Sequence, residues 1–412
     1  MVPNERLRRH RLERGWTLQD VADGLDALAP SVLGKPHLGV TAAMVGDWER
    51  GKHRPRPPYP RLLCLLYHAS TEELGLYDRI SAAGSALRAA TVIQVASAVP
   101  DSFNAERSGR PRHISEATVC NLEQVTAAYR RMYHTEAAQD LIGNVVQHAH
   151  TTRGFWLRTE DPVLRRRLAA TTSETAMLAG RLSFFDLGRA SAAGPYYSLA
   201  LEAAQAAQDK ALEAVVLGNQ SFIPRDIGDT SEALGLLHRA RELATDTPTI
   251  RSWATALEAM AHAWAHQPDA SLAAVEQAER VLGETHPDEC PPWFNYYDHP
   301  RLLGFRGLIH LRLDQPQAAH FILEEAIAAL SPDAGKQRAC YLADRATVYV
   351  DEGEIDEACK LGIEALTILQ EVDYATGIQR VRDLWAKLKP HRNRATVADL
   401  TEQLLIVSSH RR

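Results

Sequence analysis

The sequence predicts an all-α chain in two unequal parts. Three observations carry this. Short apolar runs at helical spacing, punctuated by glycine, fill the first seventy-five residues. From Ser115 onward, Ala/Leu-rich amphipathic stretches alternate with short turns, and no strand-like alternation occurs. Within that stretch, pairs of alanines seven residues apart recur after successive turns. A length of 412 residues also exceeds one ordinary core, so two or more domains are expected.

In the first part, Leu7, Leu12, Leu18, Val21, Ala22 and Leu25 recur at helical spacing around Gly15-Trp16-Thr17. Two short helices follow, with Thr17 as N-cap of the second. A third begins near Val40-Thr41 with Thr41 as its N-cap, turns Val45 and Trp48 toward the core, and stops at Gly51. A fourth follows Pro60, with Leu62, Leu63, Leu65, Leu66 and Tyr67 as its apolar face. Asp26 to Gly39, containing Pro30, Gly34 and Pro36, reads as a loop.

The net charge is −6, yet residues 1–75 hold eleven Lys/Arg against nine Asp/Glu, so this part is positive and the remainder strongly negative. Lys52, His53, Arg54 and Arg56 lie within five residues of one another. Such a cluster is either a solvated basic loop or a phosphate-binding rim, since phosphate binding needs local rather than overall positive charge.

The strings Leu7-Arg8-Arg9-His10-Arg11, Gly15-Trp16-Thr17, Val21-Ala22, Asp47-Trp48-Glu49-Arg50-Gly51, Arg54-Pro55 and Glu73-Leu74-Gly75 together resemble the XRE-type helix-turn-helix family over residues 4–76. The resemblance implies a third helix in the major groove and a second helix across the backbone. Ala42, Ala43, Gly46 and Asp47 would then face the groove, with Thr17, Gln19, Thr41, Lys52 and Arg54 toward phosphates, and Lys35 or His37 touching DNA from the longer loop. By the same resemblance, Glu49 pairs with Arg11 as an architectural tie. Leu18 stands where the family often has a phosphate-contacting Gln, and the small groove-facing residues with acidic Asp47 point to few base contacts, to Asp47 accepting from a cytosine amine, or to readout of DNA shape.

Residues 77–114 read as a linker, polar around Pro100, Gly109 and Pro111, which leaves a helical domain over 115–412. There Gly188, Gly228, Asp314 and Gly353 each precede an alanine pair: Ala193 and Ala200, Ala233 and Ala240, Ala319 and Ala326, Ala358 and Ala365. The step of 86 between the second and third pairs leaves room for one more repeat, placed at His266-Gln-Pro-Asp269 with Ala273-Ala274, so five helical hairpins are expected. Seven-residue spacing puts both alanines on one face, where a small side chain lets the partner helix approach. With Gly307 and His310, and Ala346 and Tyr349, at its small and aromatic positions, the pattern resembles the tetratricopeptide repeat over about residues 170–370. A DNA-binding head followed by such an α-solenoid is similar to actinobacterial regulators of this two-part design, and more loosely to peptide-sensing quorum regulators. Residues 115–170 and 376–408 are expected to cap the repeats.

No GxGxxG, GxxxxGK[ST], GxSxG or HExxH string occurs, so an enzyme is not expected and no cofactor is implied. Five scattered cysteines without a CxxC pair predict neither disulfides nor a zinc knuckle. His262 and His266, four apart around Trp264, read as packing rather than metal ligands, and 286–299 reads as an ordered loop between repeats. The inner face of a solenoid is its usual binding surface, and Asn219, Arg225, Trp253, His262, Trp293, Tyr297, Arg306 and Arg345 are the candidate ligand contacts. The expected whole is a cytoplasmic, homodimeric regulator that binds a double-stranded DNA operator and senses a peptide or small molecule. No stretch approaches the roughly 18 apolar residues of a membrane helix. The alternative is a protein-interaction adaptor with a vestigial helix-turn-helix.

Overall fold

A computed structural model describes residues 4–13, 16–33, 38–53, 55, 59–67, 74–76, 114–285, 290–294, 296–372 and 374–409. All regular structure among them is helical. The chain divides into two compact units, Met1–Phe103 and Asn104–Arg412.

The first unit has α1 (Glu5–Glu13), α2 (Leu18–Leu33), α3 (Ala42–Glu49) and α4 (Tyr59–Tyr67). Leu7, Val21, Leu25, Val45, Leu62, Leu63 and Tyr67 are wholly buried and Trp48 nearly so. Burying each such side chain contributes about 1.5–3 kcal/mol, and this offsets the ordering of short helices that would be marginal alone. Thr17 Oγ1 accepts from Asp20 N at 3.1 Å while Asp20 Oδ2 accepts from Thr17 N at 2.7 Å, a reciprocal cap on α2. Thr41 Oγ1 accepts from Met44 N at 3.3 Å and starts α3. That helix ends where Gly51 takes φ +69°, with Gly51 N donating to Trp48 O at 3.2 Å and Lys52 N to Asp47 O at 2.9 Å.

Two expectations are corrected in this unit. Leu12 is 55% exposed, because α1 turns only its Leu7 side inward. The loop expected over Asp26 to Gly39 is largely helix: α2 runs on to Leu33, as the Asp26-Ala27-Leu28-Ala29 run favours, and Leu38 N donates to Asp26 Oδ1 at 3.0 Å on the return. Lys35, His37, Arg54, Arg56 and all but Ile114 of the expected linker 77–114 lie outside the described residues.

The second unit opens with α5 (Glu116–Met132) and α6 (Ala138–Trp156) and continues as five hairpins. These are α7 (Pro162–Arg181) with α8 (Ala190–Ala207), α9 (Lys210–Gln220) and α10 (Phe222–Asp226) with α11 (Thr230–Leu243), and α12 (Pro248–Trp264) with α13 (Pro268–Gly283). They continue with α14 (His299–Arg312) and α15 (Pro316–Ala329), then α16 (Gly335–Asp351) and α17 (Ile355–Glu371), before α18 (Ala375–Leu388) and α19 (Ala395–Ser409) close the unit. The turn of each hairpin holds one left-handed residue: Gly188 (φ 65°), Gly228 (82°), His266 (53°), Asp314 (55°) and Gly353 (85°). Five and twelve residues after each stands a small side chain with no exposure, namely Ala193 and Ala200, Ala233 and Ala240, Ser271 and Ala278, Ala319 and Ala326, Ala358 and Ala365. The third pair corrects the expected Ala273-Ala274, of which Ala273 is exposed. Serine fits there because Ser271 Oγ donates to Ala259 O at 2.7 Å and so carries its polar atom into the interface satisfied. The hairpins stack as a tetratricopeptide-like α-solenoid.

Glycines on the first helices admit large partners. A Cβ at Gly180 would lie 2.4 Å from the Tyr197 ring, one at Gly218 2.3 Å from Trp253, and one at Gly304 2.0 Å from Tyr341. The solenoid also meets its own beginning. Lys336 Nζ on α16 donates to Asp186 Oδ1 at 2.5 Å and to Tyr133 O at 2.7 Å, and Thr376 Oγ1 on α18 donates to Phe185 O at 2.9 Å. Phe185 and Asp186 belong to a π-helical turn, Leu182–Asp186, closed by Leu187 N to Leu182 O at 2.9 Å. The widened turn is what swings Phe184, Phe185 and Asp186 away from the register of α7.

Candidate functional site

The repeat unit holds an open cavity of about 1250 Å³ lined by the first helix of every hairpin and by α18. The lining follows helical periodicity: Arg301, Phe305, Leu308 and Arg312 on α14, and Thr376, Gln379, Asp383 and Lys387 on α18. Ten aromatic side chains contribute, among them Phe184, Phe222, Trp253, Trp264 and Tyr296. Seven Arg/Lys (181, 225, 301, 312, 380, 382 and 387) face four Asp (226, 314, 344 and 383), so the wall is net positive.

The cations fall into two kinds. Arg380 is paired with Asp344, and Lys387 with Asp351 at 2.9 Å. Arg181, Arg225, Arg301 and Arg312 have no carboxylate within 4.0 Å among the described residues, and Arg181, Arg225 and Arg312 rest instead against aromatic rings. Arg181 lies 4.0 Å from the Tyr296 ring centroid, and its Nε is buried without a hydrogen-bond partner. Arg225 lies 4.5 Å from Phe222 and 5.0 Å from Trp264, and Arg312 lies 4.5 Å from the same Trp264 ring. Burial lowers the Arg225 guanidinium to about 10, with neighbouring Arg380 and Arg312 adding to the effect against Asp226. Next to the lining residue Tyr133, burial and the charges of Arg181, Arg301 and Lys336 hold His134 down to about 4.

Of the ligand contacts expected from sequence, Asn219, Arg225, Trp253 and Tyr297 line this cavity. Two of them already spend their polar atoms within the fold: Asn219 Nδ2 donates to Val215 O at 2.8 Å, and the Tyr297 hydroxyl is 2.9 Å from Ser252 Oγ. His262, Trp293, Arg306 and Arg345 stand outside the lining. His262 Nδ1 meets Gln267 Oε1 at 2.7 Å, Trp293 packs edge-on to Phe294, Arg306 pairs with Glu279 at 3.2 Å, and Arg345 pairs with Glu324 at 2.9 Å. Arg181, Trp264, Arg301, Arg312 and Arg380 escaped the sequence reading. Their signal was spacing, since 301, 305, 308 and 312 form one stripe of a helix.

In the first unit, α3 is tied to α1 by Arg11, whose Nε and a terminal nitrogen donate to Glu49 Oε1 and Oε2 at 2.7 and 2.9 Å. Its outer surface carries exposed Thr41 and Ala43, half-buried Ala42, and exposed Arg50, Lys52 and His53 at its C-terminal end. Gly46, expected to face a groove, is buried: a Cβ there would meet the Arg50 guanidinium at 3.0 Å and Leu18 Cδ1 at 3.3 Å, so this position faces inward against α2 and the folded-back arginine. Asp47 pairs with Arg50 at 2.7 Å and Lys52 at 3.5 Å, and these cations lower its carboxyl, the Arg50 hydrogen bond most. Exposed Gln19 donates to Asp23 Oδ1 at 2.7 Å, and Thr17 is occupied in its cap.

Among the described residues no group of three or more His, Cys, Asp or Glu is placed to hold a metal ion, and no helix is long and apolar enough to cross a membrane. No protein-family model matches the chain, and no curated protein matches it. Among solved structures, the chain is similar at 10% identity and a TM-score of 0.45 to one described as "Crystal Structure of Rap Protein Complexed with Competence and Sporulation Factor", over 72% of this chain and 98% of that one.

Proposed function

We propose that the chain is a cytoplasmic, DNA-binding transcriptional regulator of the XRE type, with a helix-turn-helix over 1–76, a linker over 77–114 and a repeat domain over 115–412 that senses a peptide or small molecule. The observation that carries the DNA-binding half is α3: an eight-residue helix capped by Thr41, ended by Gly51 and clamped to α1 through Glu49, with small exposed residues on its outer side and Arg50, Lys52 and His53 at its end. A groove admits a helix whose outer surface is small, and phosphates bind the cations beside it. Half-sites one helical turn apart call for two heads, hence a homodimer. DNA crosslinked to the protein in cells should share a common site, and purified protein should retard such fragments with salt-dependent affinity. Ala43→Glu is expected to abolish that retardation, and Lys52→Glu to weaken it and reduce the salt slope by about 1. Retardation unchanged by either substitution would refute the assigned surface.

The adaptor reading draws on the burial of Gly46 and the pairing of Asp47 with Arg50, which leave α3 few groups for base edges. Protein partners recovered in the absence of any retained DNA would favour it.

A further inference from the structure

We infer that the cavity of the repeat unit is a receptor for an organic anion, a flat apolar ligand bearing a carboxylate or phosphate group that Arg225 and Arg312 take up over Trp264. The inference rests on reading the repeat domain as the sensing half of the protein, and it specifies the chemistry of what is sensed.

The two arginines meet on one indole: both guanidinium groups lie within 5.0 Å of the Trp264 ring centroid, and neither has a carboxylate partner among the described residues. Three other arginines show the usual pairing: Arg380 in the same lining meets Asp344, and away from it Arg241 meets Glu258 and Arg11 meets Glu49. Arg225 is partly withdrawn from solvent beside Arg312 and Arg380, a costly placement for a cation that a ring quadrupole compensates only in part. An entering oxyanion supplies the missing charge, and guanidinium forks match carboxylate and phosphate geometry bidentately. Arg181, also in the lining, has Tyr296 against its guanidinium and its buried Nε unpartnered.

The rest of the wall excludes simpler occupants. A cavity of about 1250 Å³ is far larger than an inorganic ion needs, and its ten aromatic side chains offer ring faces that such an ion would leave unused. A neutral apolar ligand leaves Arg225 and Arg312 without a counter-charge. Closure of the unit through Lys336 and Thr376 sets the scale at a small molecule or a short acidic peptide segment rather than a polymer.

The test uses the full chain and two fluorescent probes that differ only in a sulfonate, 8-anilinonaphthalene-1-sulfonate and N-phenyl-1-naphthylamine. The anionic probe should bind saturably at one site per chain and at least about tenfold more tightly than the neutral one, as a charge-assisted contact requires. Arg312→Gln, at an exposed helix end, and Arg225→Gln should each weaken the anionic probe by about tenfold and leave the neutral probe within about twofold. Displacement by 2-naphthoate or by 1-naphthyl phosphate supports the inference, and the stronger competitor names the head group. Equal binding of the two probes, or anionic-probe affinity unchanged by Arg312→Gln in protein with a native melting curve, overturns it. Because DNA retardation is read separately on ligand-free protein, loss of this inference leaves the DNA-binding reading standing, and the reverse also holds.

Discussion

Lys336 Nζ stands 2.5 Å from Asp186 Oδ1, joining residues 150 positions apart and holding the last hairpin against the π-helical turn that follows α7. Burial raises the Asp186 carboxyl, with Lys336 opposing, and the ammonium also lies 4.0 Å from the Tyr133 ring. Removing one partner leaves a buried charge alone. Lys336→Met should therefore destabilise the repeat unit by about 3–5 kcal/mol and raise hydrogen exchange at 182–189 and 374–380. Adding Asp186→Leu should recover most of that loss, and unchanged exchange in the single variant would show that closure does not depend on this pair.

Arg11 and Glu49 make the corresponding test of the first unit. Their side chains are 12% and 6% exposed, and the contact is bidentate. Arg11→Met is expected to cost about 3 kcal/mol, measured as exchange or limited proteolysis at residues 4–76, while the melting of the repeat unit stays where it was.

Glycine positions separate packing from backbone effects. Gly304→Ala would drive a Cβ to 2.0 Å from Tyr341 and should destabilise by about 3 kcal/mol, the upper range for overpacking. Gly235→Ala, exposed within α11 with nothing near its Cβ, should instead stabilise by about 0.5–1 kcal/mol. Chemical denaturation of the two variants checks both signs.

The pH dependence follows from His134. Burial, then Arg181, Arg301 and Lys336, hold it at about 4, below its ordinary value, so the imidazole is neutral in the folded chain. The unfolded chain takes up a proton first as pH falls. Stability is expected to be lost progressively between about pH 6.5 and 4. His134→Gln should flatten that part of the profile in urea titrations, and an unaltered slope would assign the acid sensitivity to other groups.

Much of the local structure was legible. Thr41 and Gly51 bound α3 because capping and left-handed backbone are properties of a few residues. The alanine pairs found the hairpins because close helix packing repeats a requirement for small side chains. That same rule, applied to the identity of the residue rather than its size, chose Ala273 over Ser271. The cavity was legible only in part. Arg306 and Arg345 follow Phe305 and Asp344, which line it, and one residue turns a helix by about 100°, enough to carry a side chain from the inner wall to an outer ion pair.

Sequence alone determined the helical class and the turns of the repeat hairpins, which depend on spacing, caps and side-chain size within or between neighbouring elements, while the pairing of Arg11 with Glu49 was implied by the family resemblance. Tertiary structure alone decided that the solenoid meets its own start and that four arginines without carboxylate partners among the described residues share one aromatic cavity. Those facts depend on summing small rotations over five hairpins, and no local pattern encodes a contact between residues 150 positions apart.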